Sequence, residues 1–294
     1  MDIIAGADLS FVHLGITIQN MVKSFSIGGF SVAFYGMIIG IGMVCGILVA
    51  QSDAKRRGQD PEMYLDFAIY GMLFAILGAR IYYVVFQWGY YKDHLTEIIN
   101  LRKGGLAIYG GIIAAIITLF VFAKKRKMSF LSMGDTAVLG LVTGQIIGRW
   151  GNFFNCEAFG GYTDSFLAMR IKRSIVSESM ISQELIDHLI IENGIEYIQV
   201  HPTFLYESLW NVGVLLFMLW YRKRKKFDGE MLLVYFLGYG IGRTWIEGLR
   251  TDSLLIPGTG LAVSQMLSIV MVVISASLLV FFHSKKTKQC RGDE

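Results

Sequence analysis

Apolar residues fall in seven runs, 30–50, 67–86, 106–123, 130–147, 204–221, 231–246 and 261–282. Each is close to the roughly 20 residues that carry a helix across a bilayer. The first and third contain no charged residue. The second holds Arg80, the fourth Asp135 near its start, the fifth Glu207 near its start and the sixth Arg243 near its end. The pattern predicts an all-α polytopic membrane protein with seven transmembrane helices.

Between the fourth and fifth runs the pattern changes. Residues 151–202 carry Asp164, Glu178, Glu184, Asp187, Glu192 and Glu196, and this is the one polar stretch long enough for a small extracytoplasmic head. Three prolines and no Gly/Ser or Ser/Pro tract leave no candidate linker, so residues 1–294 are expected to form a single integral membrane domain with the head inside it. The first 29 residues start with the wrong charge for a cleaved leader, given Asp2 and Asp8, and are expected to be mature protein forming an interfacial helix.

Short loops rich in lysine and arginine stay on the cytoplasmic side. Lys55, Arg56 and Arg57 follow the first run, Lys124 to Lys127 the third, Arg222 to Lys226 the fifth, and Lys285, Lys286, Lys288 and Arg291 the seventh. These clusters hold 16 of the 27 basic residues, in every alternate connection. The N-terminus is therefore expected outside and the C-terminus in the cytoplasm.

Composition agrees with this picture. Hydrophobic residues make up 54% and charged residues 17%, with a mean hydropathy of +0.51, whereas soluble domains carry about a quarter charged residues. The net charge of +4 resides in membrane-flanking clusters, which excludes nucleic acid as a partner. Cys45, Cys156 and Cys290 occupy three unlike settings and imply no disulfide. The five histidines show no metal-ligand spacing, and there is no GxSxG, so neither a metal nor any other cofactor nor a serine nucleophile is expected. Cys156, a lone thiol beside Glu157, reads as a space-filling residue.

With the topology set, the unusual polar residues sort to the outer face: Tyr35, Arg80, Tyr109, Arg149, Asn152, Glu157, His201, Glu207, Arg243, Glu247 and Arg250. The bland alternative for any one of them is a snorkelling or paired group at a helix end. Arginine is the informative member, since its planar fork suits phosphate. Arg149 and Arg243 read as a phosphate clamp at lipid-headgroup depth. Glu247, four residues after Arg243, reads equally as part of an ion pair or of the site. Glycines at 104, 105, 110, 111, 148, 151 and 160 point to close backbone approach, with small-residue helix packing the alternative for 110 and 111.

The stretch Gly148-Arg149-Trp150-Gly151-Asn152-Phe153-Phe154-Asn155-Cys156-Glu157 resembles the signature of prolipoprotein diacylglyceryl transferases. Gly78-Ala79-Arg80-Ile81-Tyr82-Tyr83, His201-Pro202-Thr203-Phe204-Leu205-Tyr206-Glu207 and Gly242-Arg243-Thr244-Trp245-Ile246-Glu247 match in the family's order, and the similarity runs from Phe34-Tyr35-Gly36 to Ser264-Gln265. The resemblance implies transfer of the diacylglyceryl group of phosphatidylglycerol onto the lipobox cysteine thiol of prolipoproteins in the bacterial cytoplasmic membrane. A thioether forms and glycerol phosphate leaves. It implies essential arginines at 149 and 243, with Tyr35, Asn152, Glu157 and Gly160 lining the headgroup site; Arg80, His201, Glu207 and Glu247 are added as substrate-binding candidates. Where the family often carries a histidine proposed as the base, this chain has Tyr109, whose phenol, with a reference pKa of about 10, is a poor base near neutrality.

A transporter or channel is the rival reading, since intramembrane arginines and glycine-broken helices also line substrate paths. Against it, the polar set gathers on one face with no inner counterpart apart from Asp135 and Asp66. A non-catalytic scaffold would have no use for buried arginines.

Overall fold

A computed structural model describes residues 7–101, 104–256 and 258–292. Nine α-helices occur among them: Phe34–Arg56 (α1), Glu62–Phe86 (α2), Trp88–Tyr91 (α3), Ile108–Lys125 (α4), Phe130–Asn155 (α5), Gln183–Asp187 (α6), Thr203–Tyr221 (α7), Glu230–Glu247 (α8) and Val263–Gly292 (α9). Six are long and apolar enough to cross a membrane: α1, α2, α4, α5, α7 and α9. The protein is thus a mostly helical, multi-pass membrane protein. Helix α8 fills the sixth apolar run, but Glu230, Arg243 and Glu247 within its 18 residues keep it out of that set.

Strands accompany the expected helices. They are Leu9–Phe11 (β1), Ile16–Ile18 (β2), Ser24–Ile27 (β3), Phe30–Ala33 (β4), Met169–Lys172 (β5), Ile190–Glu192 (β6) and Ile195–Val200 (β7). The N-terminal interfacial helix is not formed over Ala7–Gly29, because Leu9-Ser10-Phe11 is buried as a strand paired antiparallel with Met169–Ile171; residues 1–6 lie outside the described residues. Likewise α1 starts at Phe34 and not at Phe30, since residues 30–33 pair with 24–27 in a hairpin. Its turn is Gly28-Gly29, both at positive φ (57° and 86°), where glycine carries no Cβ penalty.

The chain divides into two compact units. The first contains the chain up to Gly46, Leu141–Lys226 and the chain from Leu233 onward. Its sheet runs β2-β1-β5-β7-β6, antiparallel throughout. Leu9, Phe11, Met169, Ile171, Ile198 and Val200 from the sheet pack with Leu185 of α6, Phe153 of α5 and Phe204 of α7. That apolar cluster fixes the sheet on the ends of the two long helices. In the same unit α1 meets α5 through glycines: a Cβ on Gly42 would lie 3.1 Å from the Gly144 carbonyl oxygen, and one on Gly151 would lie 2.8 Å from the Tyr35 ring.

The second unit contains Ile47–Gly140 and Phe227–Leu232. Here α2 and α4 are in backbone contact. A Cβ on Gly110 would meet the Gly78 carbonyl oxygen at 2.5 Å and Tyr82 Cβ at 2.3 Å. Helix packing, the alternative reading for Gly110 and Gly111, is thus their observed role. Buried Asp135 accepts from the Gly229 (2.9 Å) and Leu232 (3.1 Å) amides at the start of α8, and Asp66 is paired with Arg126. The two acids that gave the transporter reading its only inner-facing support have structural partners.

Candidate active site

Helix α5 continues through the signature to Asn155, two turns beyond the expected end of its apolar run. Two features let it do so. Its glycines at 148 and 151 seat against Ile39 and Tyr35 of α1, and its new polar side chains all find partners. Asn152 Nδ2 donates to Glu157 Oε1 at 3.0 Å, and Asn155 Nδ2 to the same oxygen at 3.3 Å. Arg149 reaches across to α7 in an ion pair.

The recipient is Glu207, 4% exposed, in the second turn of α7. Arg149 Nη2 lies 2.5 Å from its Oε2, and Arg243 Nη1 of α8 donates to its Oε1 at 2.8 Å. Arg250 Nη1 stands 4.0 Å from Oε1. A single carboxylate therefore gathers three guanidinium groups from α5, α8 and the segment after α8. Glu247 engages Arg243 Nη2 in a close ion pair, and its other oxygen accepts from Ser253 Oγ (2.8 Å) and Ser264 Oγ (2.5 Å). The ion-pair alternative for Glu247 is the arrangement found. Arg250 is held by Asp252 through two parallel bonds of 2.9 and 2.8 Å, a fork-to-carboxylate geometry that fixes orientation as well as charge.

These groups leave donors free for a ligand. Arg149 keeps one fifth of its side chain exposed, with Glu207 its only ion-pair partner among the described residues. Three guanidinium groups so close repel one another, and a buried charge is tolerated only when paired. Glu207 and Glu247 make the cluster possible, and the exposed edge of Arg149 leaves it open to an anion such as a phosphate.

Around the cluster, Gly160 donates its amide to the His201 carbonyl (2.9 Å), His201 to the Gly161 carbonyl (3.1 Å) and Gly161 to the Leu249 carbonyl (2.9 Å). A Cβ on Gly160 would fall 2.7 Å from the Leu249 carbonyl oxygen and 2.8 Å from His201 Cβ. Gly160 thus sits where the start of α7 and the end of α8 are tied together through residues 160 and 161. His201 Nδ1 is 3.2 Å from the Tyr206 hydroxyl, and burial lowers its pKa, with Glu184 opposing. Cys156, at positive φ (52°) and 3% exposed, has its thiol pKa pushed up to about 11 by burial. It is a packed thiol, as the sequence reading had it.

A family model described as prolipoprotein diacylglyceryl transferase matches residues 23–281. The chain belongs to this family. A phosphatidylglycerol–prolipoprotein diacylglyceryl transferase of Geobacillus kaustophilus is 39% identical over 276 residues, 94% of this chain and 97% of the relative. One from Clostridioides difficile is 38% identical over 92% of this chain and 98% of its own length, and one from Bacillus cereus 42% identical over 86% and 89%. The chain is accordingly a membrane transferase of the diacylglyceryl transferase family.

Of the residues singled out by sequence, Tyr35, Arg149, Asn152, Glu157, Gly160, His201, Glu207, Arg243 and Glu247 all belong to the first unit. Arg80 and Tyr109 belong to the second. Sequence reasoning gave no role to Asn155, Ser253 and Ser264, which hold Glu157 and Glu247, nor to Asp252, which orients Arg250. The carboxamide of Asn155 lay in the signature itself. The serines gave no signal, because their partners are distant in sequence and hydroxyls are common everywhere.

Proposed function

We propose that the chain transfers the diacylglyceryl group of phosphatidylglycerol to the cysteine thiol of a prolipoprotein lipobox, the first step of lipoprotein maturation. The observation that carries this reading is the meeting of Arg149 and Arg243 on Glu207 inside a family member. The thiolate sulfur forms a bond to the terminal glyceryl carbon of the diacylglyceryl group, and the bond from that carbon to the phosphate oxygen breaks. Glycerol phosphate departs with the electron pair and the additional negative charge.

Arg149 and Arg243 would hold the phosphate and stabilise the charge that grows on the leaving group, the kind of preorganised donor that contributes most to such steps. Their positive field also raises the thiolate fraction of a substrate cysteine, whose reference pKa is about 8.5. Tyr35, Asn152, Glu157, Gly160 and His201 would line the headgroup, with Glu207 and Glu247 aligning the arginines. Tyr109, half-buried, is a catalytic candidate on the family resemblance alone. The chain would cross the cytoplasmic membrane seven times, α8 included, with the N-terminus and the sheet-bearing head outside, the C-terminus inside and the site toward the outer leaflet. Alternation of the basic clusters supports that orientation.

The test uses purified protein in nanodiscs containing labelled phosphatidylglycerol and a lipobox peptide. Lipid appearing on the peptide with equimolar glycerol phosphate, and its loss in Arg149→Ala, is expected. No product from the wild type, or undiminished product from Arg149→Ala, would overturn the reading.

A further inference from the structure

His201 lies between β7 and α7, in the same compact unit as Arg149 and Arg243. It is half-buried, and two groups of that unit act on its ring. Nδ1 stands 3.2 Å from the Tyr206 hydroxyl, with the two rings edge to face at 5.9 Å between centroids. From α6 the Glu184 carboxylate reaches it electrostatically. That carboxylate is seated over Gly161, where an added Cβ would fall 2.9 Å from its Oε2, and the Gly161 carbonyl accepts the His201 amide. Nε2 has no hydrogen-bond partner among the described residues.

Its backbone is tied to the arginine cluster. A Cβ on Gly160 would touch both His201 Cβ (2.8 Å) and the Leu249 carbonyl oxygen (2.7 Å), so the histidine and the residue before Arg250 meet across one glycine. Gly160 also forms a β-bridge with Arg250, and Arg250 Nη1 lies 4.0 Å from Glu207, the carboxylate that takes Arg149 and Arg243. Transfer needs a thiolate, and a base that makes one must itself be neutral near pH 7. Burial lowers the His201 pKa and so favours the neutral ring. With Nδ1–H donating to the Tyr206 oxygen, the lone pair of that ring is at Nε2.

We infer that His201 is the general base of the transfer step, its Nε2 taking the proton of the lipobox thiol. As that proton moves, sulfur bonds to the glyceryl carbon, and glycerol phosphate leaves with the electron pair of the broken carbon–oxygen bond. The Glu184 carboxylate steadies the imidazolium so formed, which then passes its proton to water. This rests on the transferase reading and gives His201 a chemical role in it beyond lining the headgroup.

The experiment uses full-length protein in phosphatidylglycerol nanodiscs with two lipobox peptides. One carries cysteine and the other selenocysteine, whose selenol is already ionised near neutrality and needs no base. His201→Gln is expected to transfer to the cysteine peptide about 100-fold more slowly than wild type, and to the selenocysteine peptide within about threefold of it. Glu184→Gln removes the charge that favours the imidazolium, so the acid limb of kcat/KM for the cysteine peptide should move to lower pH. Equal losses on both peptides would make His201 a headgroup or packing contact and overturn the inference. So would an undiminished rate of His201→Gln on the cysteine peptide. If His201→Gln does not fold, Glu184→Gln decides, since it keeps the histidine, and an unmoved acid limb overturns the inference. A wild type inactive with both peptides would sink the transferase reading and this inference with it, a result distinct from an active wild type that fails the peptide comparison.

Discussion

Arg149 and Glu207 join α5 to α7 through a contact of 2.5 Å, and the opposite oxygen of the same carboxylate takes Arg243 of α8. A carboxylate shared by two arginines fixes both forks relative to each other. It also leaves each with unused N–H groups, the requirement for gripping a phosphate from two sides.

Replacing either arginine with lysine keeps the charge and loses the fork. Arg149→Lys and Arg243→Lys are each expected to lower transfer by about 100-fold, the scale seen when one preorganised donor is removed. Initial rates with labelled lipid and peptide check this.

Glu207→Gln removes the charge that balances the cluster. Leaving three neighbouring guanidinium groups with only Glu247 and Asp252 is expected to cost about 3 kcal/mol of stability, read as a lower thermal unfolding midpoint in detergent. An unchanged midpoint would show that solvent compensates the arginines.

Gly160→Ala tests space, not backbone freedom, since its added Cβ would meet the Leu249 carbonyl oxygen at 2.7 Å. Overpacking of this kind costs about 1–3 kcal/mol. Gly194→Ala is the contrast: the site is open but φ is +76°, so a loss of only about 1 kcal/mol is expected from backbone strain. Thermal unfolding of the two variants side by side separates the causes.

Cys156 is expected to resist alkylation. With a pKa of about 11, only about one thiol in a thousand is ionised at pH 8, and burial blocks the reagent. Cys156→Ala should transfer within about twofold of wild type, because the reacting thiol belongs to the substrate. Mass spectrometry after maleimide treatment gives the first result, and the transfer assay the second.

His201 provides a pH test. Burial lowers its folded-state pKa below the ordinary value of 6.5, so in the window just below 6.5 the unfolded chain binds more protons than the folded one. Stability attributable to His201 is therefore fully present above about pH 6.5 and declines as the pH falls through that value. His201→Gln should lose that part of the decline between pH 7.5 and pH 5.5, measured as the difference in unfolding midpoint.

Apolar runs of helix length made the membrane helices legible, because a bilayer demands about 20 apolar residues whatever the tertiary context. The boundaries were less so. Asn152 and Asn155 look like a helix end until their carboxamides are seen bound to Glu157, and Phe30–Ala33 looks like membrane helix until it pairs with Ser24–Ile27. The five-stranded sheet escaped notice because its pairings join Leu9–Phe11 to Met169–Ile171 across more than half of the chain, and three-residue strands carry almost no periodic signal.

By itself the sequence determined that the chain is a multi-pass membrane protein, that its arginines and carboxylates cluster near helix ends, and which family its signature resembles. Local composition suffices for these. Only the tertiary structure decided which charges pair. Glu207 gathers Arg149 and Arg243, Glu247 pairs with Arg243, and Arg80 turns to the carbonyls of Glu97, Ile98, Asn100, Gly104 and Gly105. A guanidinium placed in an apolar helix must find acceptors. Whether they are carboxylates, backbone or substrate depends on which loop folds over it, and spacing along the chain does not encode that.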